Sequence, residues 1–146
     1  MRAGAATGRA RGVSLTHVSS SIRLRIPASD AWVVLVRTTA VACCARLGFD
    51  VDRVEDVRLA VGEVAGLLVA QAAPGGEIAC VFTPYDDGRL DIALSAATGT
   101  GTLPPTGTFA WAVLTALVDD VTTTVDATEV TVVLRTSRSA TTPVDA

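Results

Sequence analysis

Residues 54–72, VEDVRLAVGEVAGLLVAQA, predict one long amphipathic helix around which we expect the rest of the chain to pack. Apolar residues recur in it at steps of three and four, which is typical of a helix face that packs on a core. This stripe consists of Val54, Val57, Val61, Ala65, Leu68 and Ala72. Beyond the first turn, the opposite side carries a single carboxylate, Glu63, among leucines and alanines. A solvated face would carry more charge, so we expect this second face to contact a pocket or a partner.

The composition is typical of one soluble globular domain. The chain has 146 residues, of which 49% are hydrophobic, and a net charge of −3, which argues against a basic nucleic-acid binder. It has no run of about 20 apolar residues to span a membrane and no secretory signal, so we expect a cytoplasmic protein. We expect a disordered tail at residues 1–13, a single domain at 14–137 and a frayed tail at 138–146.

The three cysteines show no metal-ligand spacing and predict no metal site. Cys43 and Cys44 are adjacent and cannot readily bridge each other within a helix. We therefore expect Cys43, Cys44 and Cys80 to be small buried hydrophobic residues in a reducing compartment.

Hydrophobic periodicity predicts the element order β, α, α, β, β, loop, α, β, β. The predicted elements are a strand ending at residue 26, helices at 30–47 and 54–72, a hairpin at 77–84 and 89–97, a loop at 98–108, a helix at 109–118, and strands at 121–125 and 130–134. Ser29 or Asp30 is the expected cap of the first helix. Its predicted core face consists of Trp32, Leu35, Val36, Cys43 and Leu47. Strands joined by hairpins predict a mixed or mostly antiparallel sheet with helices on one face, an α/β (α+β) two-layer sandwich.

The run DVRLAVGEVAGLL at residues 56–68 resembles the first ATP-binding motif of a known family, the RsbW and SpoIIAB-type anti-sigma factors. These belong to the GHKL superfamily of ATPases and kinases. The match covers Asp56, Val57, Arg58, Leu59, Ala60, Val61 and Glu63. The run FAWAVLTALVDDV at residues 109–121 is similar to the third motif of the actinobacterial, UsfX-like branch. The resemblance implies a Bergerat-like GHKL fold and a homodimer. It also implies sequestration of an alternative sigma factor (SigF or SigB type) and release by a STAS-domain anti-anti-sigma factor.

The resemblance also implies an ATP site whose first motif is altered here. Its glutamate, which assists proton transfer, falls on Glu63, whereas its asparagine, which binds Mg²⁺, falls on Leu67. Leucine offers no oxygen to a metal ion, so the resemblance implies a degenerate site.

The second and third motifs are altered as well. The aspartate that accepts a hydrogen bond from adenine falls on Ala97, while the motif glycines fall on Gly99 and Gly101. In the third motif, Thr108 and Ala110 stand where glycines are usual, and Gly107 lies one residue before Thr108. Losses in three parts of one site argue against phosphoryl transfer.

Arg37 is the position at which the resemblance places a partner contact. In the family a first-helix arginine contacts both the sigma factor and the STAS protein, and counting back from Glu63 without gaps places it on Arg37. The alternative is an arginine that only extends along the surface of its own helix. Apolar residues at 31–36 give an independent hint of a dimer.

Three hypotheses follow. The leading one is a protein-binding anti-sigma factor with no cofactor, no enzymatic activity and no direct contact with nucleic acid or membrane. The second is an active serine protein kinase that uses ATP, Mg²⁺ and Glu63 to phosphorylate the antagonist. The third is a small-ligand sensor or structural module in which Leu59 and Leu67 line a closed apolar pocket. We expect Asp119 and Asp120 to be a solvated pair at a helix end rather than catalytic groups.

Overall fold

The computed structural model describes residues 20–102 and 108–138. Its elements in chain order are β1 (Ile22–Pro27), a 3₁₀ turn (Asp30–Trp32), α1 (Val33–Arg46), α2 (Val51–Gln71), β2 (Glu77–Pro84), β3 (Arg89–Ala97), α3 (Phe109–Leu117), β4 (Asp120–Asp126) and β5 (Glu129–Ser137). This order confirms the predicted one. The predictions for residues 1–13, for 139–146 and for Gly107 lie outside the described residues.

The five strands form one sheet in the order β1-β2-β3-β5-β4, and its four neighbouring pairs are all antiparallel. Alternate residues of the three central strands are buried beneath the helices, because successive side chains of a strand point to opposite faces. These buried residues are Ile78, Cys80, Phe82, Leu90, Ile92, Leu94, Ala96, Val130, Val132 and Leu134. The other face of the sheet has no helix over it in the described residues. The predicted two-layer sandwich with helices on one face is therefore confirmed.

Helix α2 begins at Val51, three residues before the amphipathic run at 54–72, because Asp50 caps it; Asp50 or Asp52 is the start that the sequence predicts. The Asp50 carboxylate accepts a hydrogen bond from the backbone N–H of Arg53 at 2.8 Å, which satisfies one of the free donors of the first turn. The predicted stripe packs on the sheet, since four of its residues, Val57, Val61, Ala65 and Leu68, are fully buried. Ala60 and Val64 are also fully buried, so the core face is wider than the prediction.

The predicted core face of α1 is partly wrong. Trp32 and Leu35 are 48% and 40% exposed, and Val33 and Ala40 are buried in the core together with Val36. Trp32 lies in the 3₁₀ turn before the helix, capped by Ser29, where three residues rather than 3.6 make one turn. The buried face of α1 therefore begins at Val33 and continues through Val36 and Ala40, with Trp32 before it and outside the core.

All three cysteines are free and buried in the core, as predicted. Burial raises the pKa of the Cys44 and Cys80 thiols to about 12, and it also raises the pKa of Cys43. The thiols are therefore protonated at neutral pH and act as small apolar side chains.

Arg53 links the start of α2 to the two last strands. Its Nη2 lies 2.5 Å from Oδ1 of Asp119, and its Nε donates to the backbone carbonyl of Ser137 at 3.1 Å. The Ser137 hydroxyl donates to Oδ2 of Asp119 at 2.8 Å, so both carboxylate oxygens are bonded. Asp119 is an exposed residue after the helix end, as expected, but its carboxylate is also an ion-pair partner, with its side chain 29% exposed and that of Arg53 11% exposed. Asp120 is more open, with its side chain 56% exposed beside Arg135.

We predict that Asp119→Asn lowers the free energy of unfolding by about 1–3 kcal/mol, since it leaves the largely buried Arg53 charge without a carboxylate. The matched control, Asp120→Asn, removes an exposed ion pair and should lower it by less than about 1 kcal/mol. Urea unfolding followed by circular dichroism measures both values. Equal, small losses in the two variants would show that the Arg53 link does not stabilise the fold.

Candidate functional site

A cavity of about 420 Å³ lies where the end of α2 meets the loop after β3. Its lining residues are Gln71, Ala72, Ala73, Pro74, Gly99, Thr100 and Thr102. The two segments are joined through the backbone, since the N–H of Ala73 donates to the carbonyl of Ala97 at 2.9 Å. The lining offers one amide and two hydroxyl groups but no charged side chain. The cavity therefore suits uncharged polar groups better than phosphates.

Thr98 holds the loop that borders this cavity. It is only 3% exposed, and its hydroxyl accepts from the N–H of Gly101 at 2.5 Å and donates to the carbonyl of Thr128 at 3.3 Å. Gly101 has a φ of +72°, and a Cβ there would lie 2.9 Å from the carbonyl oxygen of Ala127. Only glycine fits this turn, so Gly101 has a structural role. A Cβ at Gly99 would meet no atom within 4 Å, so that position is open.

The structure brings only some of the predicted nucleotide-site residues together. Gly99 lines the cavity beside Gln71, whereas Glu63 is exposed and Leu67 half-buried on the preceding turns of α2, outside the lining. Ala97 also lies outside it. Because it follows the buried Ala96 in β3, its exposed side chain points to the face of the sheet away from the helices.

The closed apolar pocket of the third hypothesis is contradicted. Leu59 is 47% exposed, so it does not line an enclosed pocket with Leu67. Both leucines lie on the side of α2 that faces away from the sheet, where the described part of the chain does not cover them fully. The sparse charge of that face is therefore not explained by a pocket within the domain.

Arg37 lies between the two long helices, over Gly62 of α2. A Cβ at Gly62 would lie 3.2 Å from Cδ and 3.4 Å from Nη1 of Arg37, so the absence of a side chain there lets the arginine lie flat. Arg37 is half-buried, and among the described residues no carboxylate lies within 4 Å of its guanidinium. Glu63, the next residue after Gly62, is not its partner. The sequence predicts Arg37 as a partner contact, but Gly62 was not among the predicted site residues. A glycine inside a helical pattern is the sequence signal that could have identified it.

In residues 20–102 and 108–138, no helix has the length and apolar character needed to cross a membrane. The same ranges contain no group of three or more His, Cys, Asp or Glu side chains that could hold a metal ion.

Two known proteins named RsbW are similar in sequence to this chain. An anti-sigma-F factor RsbW of Mycobacterium tuberculosis is 37% identical over 116 residues, which cover 80% of this chain and 65% of that protein. A serine-protein kinase RsbW of Bacillus cereus is 37% identical over 76 residues, which cover 51% of this chain and 47% of that protein. The chain thus spans 65% or less of these two relatives. No family model matches it.

A solved structure shares the fold. It is a crystal structure of the RsbU and RsbW domains of a Mycobacterium tuberculosis protein, which matches with a TM-score of 0.66 at 19% sequence identity. The match covers 82% of this chain and 32% of the other. Together these similarities confirm the resemblance to RsbW proteins that the motifs at residues 56–68 and 109–121 predicted, and the chain shares the fold of an RsbW domain.

Proposed function

We propose that this chain is a cytoplasmic anti-sigma factor that sequesters an alternative sigma factor of the SigF or SigB type. The observation that carries the proposal is the 37% identity over 116 residues to a protein named anti-sigma-F factor. Sequestration needs a binding surface and no chemical step, so it does not depend on an intact nucleotide site. Release then follows when a STAS-domain anti-anti-sigma factor competes for an overlapping surface.

Arg37 is the residue to which we assign the main contact with both partners. Its charge has no carboxylate partner among the described residues, and its stem is held against Gly62. A guanidinium that is already held in place loses little conformational entropy when a carboxylate binds it. A bidentate pair in a desolvated interface is worth about 2 kcal/mol or more.

We predict that Arg37→Ala lowers the affinity for the sigma factor at least about tenfold while the fold is kept. Gly62→Ala should also weaken binding, because the new Cβ would displace the arginine side chain that lies 3.2 Å away. The matched control is Arg46→Ala, which removes an exposed arginine from the same helix. Fluorescence anisotropy with purified SigF- and SigB-type sigma factors of the source organism measures the affinities.

This experiment distinguishes a wrong role for Arg37 from a wrong proposed function. Equal losses in Arg37→Ala and Arg46→Ala would refute the role of Arg37 but not the function. If the wild-type chain bound none of these sigma factors and did not inhibit their transcription in vitro, the proposed function itself would be wrong.

The residues present do not fit ATP and Mg²⁺, which the RsbW-like resemblance implies. The cavity lining has no cationic side chain to meet phosphates, and the whole run from Thr98 to Thr108 contains no charged residue. Leu67 offers no oxygen ligand, and Glu63 lies outside the lining. We therefore infer a degenerate nucleotide site and derive no catalytic step from it.

The second candidate function is a serine protein kinase that phosphorylates the antagonist. It is favoured by the 37% identity over 76 residues to a protein named serine-protein kinase RsbW. Glu63, the retained carboxylate of the first motif, would then be the catalytic group.

We expect isothermal titration with ATP and Mg²⁺ to give no saturable heat, because the donors for phosphate and metal are missing. We likewise expect no transfer of radiolabelled phosphate to a STAS-domain protein. Leu67→Asn restores the oxygen ligand, so a gain of binding in that variant alone would identify Leu67 as the cause. Binding by the wild type, with transfer that Glu63→Ala abolishes, would replace our proposal with the kinase.

We also propose that the chain forms a homodimer through the uncovered face of the sheet. The centre of that face carries Ala79, Val81, Ala93 and Val133, which are small apolar residues and half-buried within the single chain. Small side chains let a second sheet approach to about 10 Å, the usual distance between packed sheets.

Val133→Arg should convert the dimer to a monomer in analytical ultracentrifugation, since it places a charge at the centre of this face. The control is Val125→Arg at the sheet edge, where valine is already 54% exposed. A wild-type monomer, or a dimer that resists Val133→Arg, would contradict the proposed interface.

A further inference from the structure

The outer edge of β1 lies beside an exposed apolar ridge of α1. Strand β1 is the first in the sheet order, and within the described residues β2 is its single neighbour. Trp32 is 48% exposed, and Leu35 and Ile22 are each 40% exposed. Free N–H and C=O groups along such an edge are a template for a further strand.

The ridge continues into a groove between α1 and β1. Trp32 and Leu35 share one side of the helix with Thr39 and Ala42, because these residues follow at steps of three and four. Thr39 and Ala42 line an apolar groove of about 250 Å³, of which Ile22 forms the strand side. The side of the β1 edge that faces the helices is therefore mainly apolar, with Arg46 at the far end of the groove as its one charged lining residue.

The other side of the same edge is positively charged. Arg23 and Arg25 alternate with the apolar residues of β1 and lie on the uncovered face of the sheet, where they flank a small cavity over Ala79 and Val81. Arg23 has no ion pair among the described residues. Arg25 lies 3.2 Å from Glu77, but both side chains are more than half exposed, so this pair is weak.

We propose that the edge of β1 binds an extended segment of a partner protein in which apolar residues alternate with acidic ones. A strand added to this edge presents successive side chains to opposite faces of the sheet. Its apolar residues would cover Ile22 and the ridge of Trp32 and Leu35, while its carboxylates would meet Arg23 and Arg25. Apolar residues for the ridge and acidic residues for the arginines are thus needed at alternate positions of the segment. A strand presents alternate residues to opposite faces in the same way.

Residues 1–19, residues 139–146 and a second copy of the chain fit this edge poorly. Residues 1–19 contain no Asp or Glu, and residues 139–146 contain one, Asp145. If two copies paired through β1, Arg23 and Arg25 of each would lie beside those of the other, and like charges on paired strands repel. The occupant is therefore a segment of another protein. A strand added in the plane of the sheet does not cover Val133 at the centre of the proposed dimer surface, although Arg23 and Arg25 border its Ala79 and Val81 part. This inference does not depend on the anti-sigma function.

The test uses two labelled eight-residue peptides with the same composition. One alternates valine and glutamate, and the other carries four valines followed by four glutamates. We expect the alternating peptide to bind the full chain at least tenfold more tightly in fluorescence anisotropy. It should also slow amide hydrogen exchange in β1.

Two pairs of variants locate the contact. Arg23→Glu should weaken the alternating peptide at least tenfold, whereas Arg89→Glu, which reverses another exposed arginine of the sheet, should not. Leu35→Ser should weaken it more than Leu59→Ser, whose leucine has a similar exposure on the other long helix. In Arg23→Glu, a valine–lysine alternating peptide should bind more tightly than the valine–glutamate peptide.

Three results would overturn the proposal. They are equal binding of the two peptides, equal effects of the paired variants, and loss of self-association in Leu35→Ser as measured by ultracentrifugation. The last result would assign the edge to a second copy of the chain.

Discussion

Helix α2 buries six apolar side chains between the sheet and α1, and these contacts determine where the other elements lie. Each of the six is fully buried: Val57, Ala60, Val61, Val64, Ala65 and Leu68. Complete burial of a valine or leucine side chain contributes about 1.5–3 kcal/mol relative to exposure, so no other helix contributes as much to the core. Because α1 packs along α2, and Arg53 connects the start of α2 to the segments around β4 and β5, these elements are placed relative to this helix.

The same packing explains why the candidate functional groups lie where they do. A helix that uses one side for the core leaves its other side for contacts outside the domain. In α2 that side carries the exposed residues Leu59 and Glu63. Because residue 62 is a glycine, the side chain of Arg37 can pack against the helix there. The end of the helix, at Gln71, borders a cavity with uncharged walls. A protein-binding role is compatible with both features. It can use the guanidinium of Arg37, which lies against α2 and has no carboxylate partner among the described residues, and it needs no phosphate site.

The sheet has three exposed surfaces with different chemistry. The centre of its uncovered face is small and apolar, the β1 edge is apolar on one side and cationic on the other, and the β4 edge is rich in threonine. An antiparallel sheet tolerates one solvated face, so none of these surfaces is required by the fold. Their side chains are therefore free to serve association, and each can be altered without removing a core residue.

The sequence alone determined the element order, the hairpin at Glu77–Pro84 and Arg89–Ala97, the stripe of α2 and the burial of the cysteines. These follow from local periodicity and turn chemistry, which depend on residues near one another in the chain. It did not determine the buried face of α1, which begins at Val33 after the 3₁₀ turn at Asp30–Trp32 and leaves Trp32 exposed. Only the tertiary structure placed Arg37 over Gly62, paired Asp119 with Arg53 and put Glu63 and Leu67 outside the cavity lining. These contacts join residues that are far apart in sequence, or depend on the exact rotation of a helix, and a pattern within one segment carries no information about either.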